Sequence, residues 1–595
     1  MRFLVSFAVL LHACGGRGST DDRPPEICRD PGSPSGDWYE EVTEEVGLGS
    51  TAPVPPVATS VVAADVDSDG WIDFFASVFP SQREPDPAAR TRFLLLNRPD
   101  PEDPSQRRFV DTLDESGLLA TRDGEGGRGI TTVTFGDLDN DGDPDAIGCP
   151  AEISTAIVDG CAAFANDGAG HFTLIDGGAL EDDLFSVTSS VLLDYDLDGV
   201  LDFWPATIGE WQYGPAATSA PRLFHGKGDG TFSDVSAKVG LPTDPTALNN
   251  YRMNFGLTSC DVDSDGDRDV LVGNYGVPIG PNTVWRNDDG TFVDVADDLG
   301  VDRADLGGFT FSITCGDLDD DGDRDLMTAE VAHPGQGTDT TTMLVGDLGS
   351  AGKLKEFERA DSAELGIDRA PGDMEGDNIA FVDDLDLDGR KDIVVLSSNY
   401  PQQSEGDDEW THAWVFRQTD DLEFDDVTGK TPFGRPKQQT LEGGALADFD
   451  NDGDLDLIVG TGLFNSVWIG ENLGITTAAL HVYRNEIGQD SNWTRIRIVG
   501  AGEGASNTSG IGARVSVTAG GRTQYQEVLG SWGHSNTQTD TWLTFGLGDA
   551  CTIDTLEVQW PDPGAEITRF SDVLANYPIV VTEGESAITY VTSVP

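Results

Sequence analysis

Residues 134–145 read TFGDLDNDGDPD. Asp137, Asp139, Asp141 and Asp145 stand at positions 1, 3, 5 and 9 of a nine-residue unit, with Gly142 at position 6. Carboxylates this close repel one another. The stretch is either a solvated acidic turn or a cradle for a counter-charge, and the rest of the chain decides by repetition.

The unit D-x-D-x-D-G-x-x-D occurs seven times. Its aspartates are Asp65, Asp67, Asp69 and Asp73; Asp137, Asp139, Asp141 and Asp145; Asp194, Asp196, Asp198 and Asp202; Asp261, Asp263, Asp265 and Asp269; Asp317, Asp319, Asp321 and Asp325; Asp384, Asp386, Asp388 and Asp392; and Asp448, Asp450, Asp452 and Asp456. The starts are 72, 57, 67, 56, 67 and 64 residues apart, so residues 38–490 form a repeat array. Short β-prone runs flank each copy, such as SVVAA before and FFASV after the first. Farther on comes a hairpin with a Gly-rich turn, as in RLFHGKGDGTFSDV and TVWRNDDGTFVDV. Four short strands and a loop make one propeller blade. The expected fold is all-β: a seven-bladed β-propeller followed by a small C-terminal β-sandwich-like domain.

The ends of the array predict how the ring closes. The seventh repeat contributes LHVYRNEIGQDSNW but lacks the F-x-D-V strand that follows in other repeats. A matching strand stands at the start, WYEEVTEEVGL at 38–48, beside FSDVSAKVGL at 232–241. The N-terminal strand is therefore expected to complete the last blade and remove its open edge.

Aspartates at 1, 3, 5 and 9 with a carbonyl at 7 offer an all-oxygen shell, and Gly at 6 permits the bend. Such hard, flexible ligands suit Ca²⁺, about one per blade, rather than Mg²⁺ or a zinc-type site. The unit lacks a consistent acidic residue at position 12 and is flanked by strands, which excludes an EF-hand.

The bulk numbers agree. The chain has 595 residues, 38% hydrophobic, with 72 glycines and a formal net charge of −70. That is enough apolar content for a core, and the acidity argues against nucleic acid as a partner. Much of it is clustered, as cation sites would require.

The first residues, MRFLVSFAVLLHACGGRGS, combine Arg2 with a short apolar run too short to span a bilayer. Leu11-His12-Ala13-Cys14 reads as a bacterial lipobox with lipidation at Cys14, or else as an ordinary secretory cleavage region. Residues 1–13 are then a signal peptide and 14–37, rich in Gly, Pro, Ser and charge, a flexible tether. Either reading exports the chain, to an outer-membrane or cell-surface location or into the medium. Six cysteines remain, an even number that suits disulfides outside the cytoplasm. Cys149 with Cys161, and Cys260 with Cys315, are the plausible pairs; Cys28 and Cys551 are left over.

The repeat TFGDLDNDGDPD, followed by RNDDGTFVDV, resembles the FG-GAP/VCBS repeats of the integrin α-like propeller class over most of residues 38–490. The resemblance implies that each Asp loop binds calcium within its blade. Residues 491–595 carry no Asp unit but successive β-type runs, among them WTRIRIVG, ARVSVTAGG and IDTLEVQWP. Gly512-Ala-Arg514-Val, Phe545-Gly-Leu-Gly548 and Val558-Gln-Trp560-Pro resemble the ASPIC/UnbV domain. The order of the two parts is similar to the cartilage acidic protein family and its bacterial relatives. The segment Ser531-Trp-Gly-His534-Ser-Asn departs from that pattern.

The seven histidines show no zinc spacing, and nucleophile elbow, P-loop and dinucleotide fingerprints are absent. His534, near Asp540, is read as a surface histidine in a turn rather than an acid–base pair. No catalytic residue is assigned. The leading reading is an exported calcium-binding module that binds or adheres to a protein or glycan, held to the membrane only by its lipid. The alternatives are an enzyme or biosynthesis accessory using the propeller as scaffold, with a site in the axial channel or a top loop, and a purely structural envelope protein.

Overall fold

The computed structural model describes residues 23–29, 36–50, 52, 58–78, 91–124, 126–150, 159–181, 186–208, 220–243, 254–274, 281–301, 309–331, 340–348, 354–369, 376–397, 413–432, 441–461, 479–534 and 536–592. The signal peptide and Cys14 lie outside them.

Between Tyr39 and Asn485 the described strands form seven four-stranded antiparallel sheets. Blade 2 is typical: Thr132–Gly136, Asp145–Cys149, Ala162–Asn166 and Phe172–Leu174, hydrogen-bonded in sequence order. The first strands of blades 1 to 7 are Ser60–Ala64, Thr132–Gly136, Ser186–Leu193, Asn254–Cys260, Thr310–Gly316, Asp377–Asp383 and Leu441–Ala447. Each packs against the next, and the seventh packs against the first, so these strands line the axis of a closed ring. Apolar clusters fill the wedges between blades. Between blades 7 and 1 these include Val61, Phe74, Phe93, Phe449 and Ile458, all nearly inaccessible to solvent. Burial of this kind, roughly 25 cal/mol per Å² of apolar surface, is the main force holding the blades together.

The ring closes as the repeat pattern predicts. Tyr39–Glu41 pairs antiparallel with Ala479–Asn485, in the register Tyr39↔Asn485 and Glu41↔Tyr483, and completes the seventh sheet. Trp38 and Tyr39 are buried among Phe381, Leu457 and Trp532.

A second all-β unit follows. One sheet holds Asn492–Val499, Trp542–Gly548, Tyr577–Thr582 and Thr589–Tyr590; the other holds Arg514–Ala519, Arg522–Glu527, Thr552–Gln559 and Ile567–Leu574. Ile496, Val515, Val517, Phe545, Leu556, Val558 and Ile579 form the core between them. Asn492–Val499 pairs in parallel with Tyr577–Thr582. The last three strands are not among the β-type runs read from the sequence. Ile567–Leu574 is mostly exposed, and Tyr577–Thr582 carries Pro578.

Three disulfides join Cys149 to Cys161, Cys260 to Cys315 and Cys28 to Cys551. The first lies within blade 2, the second staples the first strands of blades 4 and 5, and the third carries the N-terminal segment onto the C-terminal unit. The flexible-tether reading of residues 14–37 fails for residues 23–29. Beyond the disulfide, the Tyr577 hydroxyl donates to the Pro25 carbonyl (2.8 Å), Asn576 Nδ2 to the Ile27 carbonyl (3.0 Å), and Arg29 Nη1 to the Gln489 carbonyl (2.6 Å). A polar, Pro-rich stretch without periodicity is held by individual hydrogen bonds to a distant surface, which leaves no local signal.

Candidate metal centres

Every Asp unit bridges the first and second strands of its blade, and its ninth residue is the first residue of the second strand. The local geometry repeats in all seven. Position 4 is left-handed although it is never glycine, with φ between 54° and 59° at Ser68, Asn140, Leu197, Ser264, Asp320, Leu387 and Asn451. Position 6, always glycine, has φ between 83° and 106°. These two left-handed residues curl the loop around its own carboxylates.

The carboxylates have distinct tasks. Position 1 accepts the amide of the position-6 glycine through Oδ2 at 2.7–3.1 Å in all seven loops. Position 5 accepts the amide of position 7 at 2.9–3.2 Å. Position 9 uses Oδ2 for the amide of position 2, as in Asp145 with Leu138 (2.9 Å), and Oδ1 for an amide of the third strand, as in Asp145 with Asn166 (2.8 Å). Position 9 is therefore a buckle across three strands as well as a candidate ligand. Where the third-strand residue is Asn or Gln, its side chain reaches the preceding blade: Asn287 Nδ2 donates to the Tyr195 carbonyl at 2.8 Å.

Position 3 makes few such bonds. The Oδ1 atoms of Asp67, Asp263, Asp386 and Asp450, all at position 3, are buried without a hydrogen-bond partner, as is Oδ1 of Asp317 at position 1. Ligand oxygens of Asp65, Asp67 and Asp73 converge within 4.8 Å, as do those of Asp137, Asp139 and Asp145, of Asp194, Asp196 and Asp198, and of Asp261, Asp263 and Asp265. Burial, and then the neighbouring carboxylates, push Asp139 and Asp263 up to about 6 and Asp450 to about 8. These hard oxygen clusters fit a divalent cation, which would be held by positions 1, 3, 5 and 9.

Basic side chains adjoin several loops, and the sequence reading missed them. Arg417 pairs with Asp386 (2.5 Å) and Asp388 (2.9 Å), Arg98 with Asp67 and Asp69, and His225 Nδ1 with Asp202 (3.0 Å). The hydrogen bond to Asp202 raises the His225 pKa. The signal lay one residue before the amide that caps position 9: His225, Arg286, Arg417 and Arg484 all stand there, whereas blades 1, 2 and 5 have Leu96, Ala165 and Val345, and Arg98 of blade 1 stands one residue after that amide.

The C-terminal unit covers this loop face and enters the channel. Thr508 and Ser509 bond to Asp137, the Gly504 amide to the Asp198 carbonyl (2.7 Å), and the Gly548 amide to the Leu387 carbonyl (3.1 Å). Arg268 and Arg324, at position 8 of loops 4 and 5, both grip Glu527. Arg495, fully buried, bridges Asp448 (2.8 Å) and Asp540 (2.5 Å).

Residues 531–534 and 536–538 run along the ring axis. The Gln538 side chain bonds both the amide (2.9 Å) and the carbonyl (2.8 Å) of Phe135; Asn536 Oδ1 accepts from the Ser190 amide (2.7 Å); and the Gly533 amide donates to the Leu257 carbonyl (2.8 Å). His534 is not the surface histidine expected. It is 1% exposed and packs on Phe255 and Phe311, with ring centroids at 5.3 and 4.7 Å. Burial lowers its pKa to about 3, so it is neutral. The segment that departs from the family pattern thus lies in the channel.

The FG-GAP-like repeat model matches residues 261–328 and 384–459, and the ASPIC and UnbV model matches residues 502–588. Cartilage acidic protein 1 of Xenopus tropicalis is 25% identical over 400 residues, 65% of this chain. The match spans 53% of that protein, about half its length. Among solved structures, an Agrocybe aegerita lectin that recognises non-reducing terminal N-acetylglucosamine aligns at 16% identity over 72% of this chain and 96% of its own, TM-score 0.36. The Dos1 propeller aligns at 10% identity over 76% of this chain and 96% of its own, TM-score 0.35. The chain thus carries FG-GAP-like repeats within its all-β ring and an ASPIC and UnbV domain after it.

Proposed function

We propose that this protein is an exported, calcium-stabilised propeller that presents a binding surface to a protein or glycan ligand at the cell surface, anchored through a lipid on Cys14. The observation that carries the calcium reading is the set of buried position-3 oxygens without partners, at Asp67, Asp263, Asp386 and Asp450. A buried ionised oxygen without a partner is costly, and a cation supplies the missing one. The three disulfides favour an oxidising compartment. The C-terminal unit occupies the loop face, which leaves the opposite face and the rim for a ligand.

The test is thermal. A cation that binds only the folded ring stabilises it by mass action. Chelation should lower the melting temperature, and Ca²⁺ should restore it better than Mg²⁺. Asp141→Ala should remove one equivalent of bound metal and leave six. An unchanged melting point, with elemental analysis proving the sites empty, would sink the calcium reading. Membrane fractionation of Cys14→Ser, expected to be released into the soluble fraction, tests the anchor. Pull-down against surface proteins and glycans tests the ligand class.

A further inference from the structure

Blade 3 differs from the other blades in the side chain that its third strand lays against the Asp loop. The residue before the amide that caps position 9 is Arg286 in blade 4, Arg417 in blade 6 and Arg484 in blade 7, but His225 in blade 3. A guanidinium carries only donors and stays charged, so an arginine there neutralises its loop and cannot ligate a metal. A neutral imidazole has a lone pair on one ring nitrogen and is the commonest protein ligand of metals.

The ring is placed to use that lone pair. His225 Nδ1 lies 3.0 Å from Asp202 Oδ1 and 3.9 Å from Asp196 Oδ2, and Nε2 lies 3.8 Å from Asp198 Oδ2. The ligand atoms of Asp196, Asp202 and His225 all fall within 4.8 Å of one another. An ion bound at about 2.0–2.2 Å sets its ligands about 3.0–4.4 Å apart, and both Nδ1 distances lie in that range. The parts are held in advance. Asp202 is fully buried and accepts the Tyr195 amide through Oδ2 (3.0 Å) and the Gly226 amide through Oδ1 (2.9 Å). The buried Tyr195 ring meets the imidazole edge-on, with centroids 5.9 Å apart. His225 itself is half-buried, which leaves an ion a way in.

We infer that the third loop takes a Zn²⁺-class ion, held by His225 Nδ1, Asp196 and Asp202, where the other loops take Ca²⁺. This rests on the reading of the Asp loops as cation sites. Ca²⁺ asks for about six to eight oxygens. One imidazole nitrogen with two carboxylates and water is the donor set of a borderline first-row ion. Asp198 faces Nε2, where a carboxylate orients the ring as the outer-shell partners of metal-bound histidines do. Asp196 also belongs to the all-oxygen group with Asp194 and Asp198, so the two arrangements share a ligand and the loop holds one ion at a time.

The experiment loads the full-length, chelator-stripped chain with excess Ca²⁺ and adds Zn²⁺ in steps, with both metals counted after gel filtration. Wild type should hold one Zn²⁺ and give up one Ca²⁺. X-ray absorption at the zinc edge should show one imidazole around the ion. His225→Gln should weaken zinc binding at least about 10-fold, since loss of an outer-shell partner alone does as much, and should keep its Ca²⁺. His171→Gln, which alters the exposed pair of His171 with Asp167, should change nothing. Near-UV circular dichroism checks that both variants are folded, and the absorption spectrum of wild type needs no variant. The inference is overturned, with the calcium reading intact, by Ca²⁺-loaded wild type that takes up no zinc, that takes it up beside an undiminished Ca²⁺ complement or that binds it without an imidazole, and equally by unchanged zinc binding in His225→Gln. A chain that binds zinc through His225 but never holds Ca²⁺ overturns the calcium reading instead, so the two failures are distinguishable.

Discussion

At the scale of single residues, the left-handed position 4 carries a measurable cost. Leu197 and Leu387 hold φ of 54° and 56°, a region where a γ-branched side chain is strained and asparagine is at ease. Leu387 is buried under the C-terminal unit, but Leu197 is half-buried. Leu197→Asn should therefore stabilise the protein by about 1 kcal/mol, read as a rise in denaturation midpoint. Other residue-scale features were legible beforehand: Asp at 1, 3, 5 and 9 and Gly at 6 are the residues the loop geometry requires. The basic neighbours were not, because Arg417 and His225 come from the third strand, some thirty residues after their loops begin, where nothing local marks them as partners.

Between neighbouring elements, the third-strand Asn fixes one blade to the preceding one. Asn287 is fully buried, and its side chain donates across the blade interface to Tyr195. Asn287→Ala leaves that carbonyl without its donor and should cost about 1–3 kcal/mol. Gly226 and Gly346 take the same place in blades 3 and 5 and make no such strut, so Gly346→Ala would test sterics rather than bonding. Ring closure was readable from Trp38-Tyr39-Glu40-Glu41-Val42, because that strand matches FSDVSAKVGL at 232–241 and FVDVADDLGV at 292–301. The same structure separates two consequences of N-terminal truncation. Of the described contacts, a chain beginning at residue 36 loses only the clasp of Cys28 and residues 23–29. A chain beginning at residue 55 also loses the edge strand of blade 7 and should aggregate, as light scattering would detect. Equal behaviour of the two would mean that Tyr39–Glu41 does not hold the ring.

For the molecule as a whole, pH and metal oppose each other. Burial, as the largest cause, raises Asp65, Asp317 and Asp202 to about 7 and Asp145, Asp325 and Asp450 to about 8. A carboxyl whose folded pKa exceeds its unfolded value binds more protons when folded. Metal-free protein should therefore lose stability as pH rises from about 4 to about 8. His534, lowered to about 3, acts oppositely between about 3 and 6.5, but it is one group against many. Ca²⁺ binding must displace those protons, so affinity should rise with pH over the same window. Melting temperatures at pH 5.5 and 8 should then cross: metal-free protein more stable at 5.5, Ca²⁺-loaded protein more stable at 8. A metal-free protein that grows more stable towards pH 8 would reverse this assignment. The channel segment was invisible in advance for a related reason of scale. The stretch is mostly polar and unpatterned, and what makes residues 531–534 and 536–538 core is the ring of inner-strand amides and carbonyls that surrounds them.

The closing strand also sets a timetable. Thr43 waits for Val482, 439 residues later, to accept its backbone amide, and Cys28 waits 523 residues for Cys551. At roughly 5–20 residues per second, the first strand of the ring stays unpaired for tens of seconds, longer than any other strand in the ring. That strand, made before the rest of the ring, is among the last parts of it to be folded. A chain exported as proposed above gains from that delay, since its ring has no native closure until the far end has arrived.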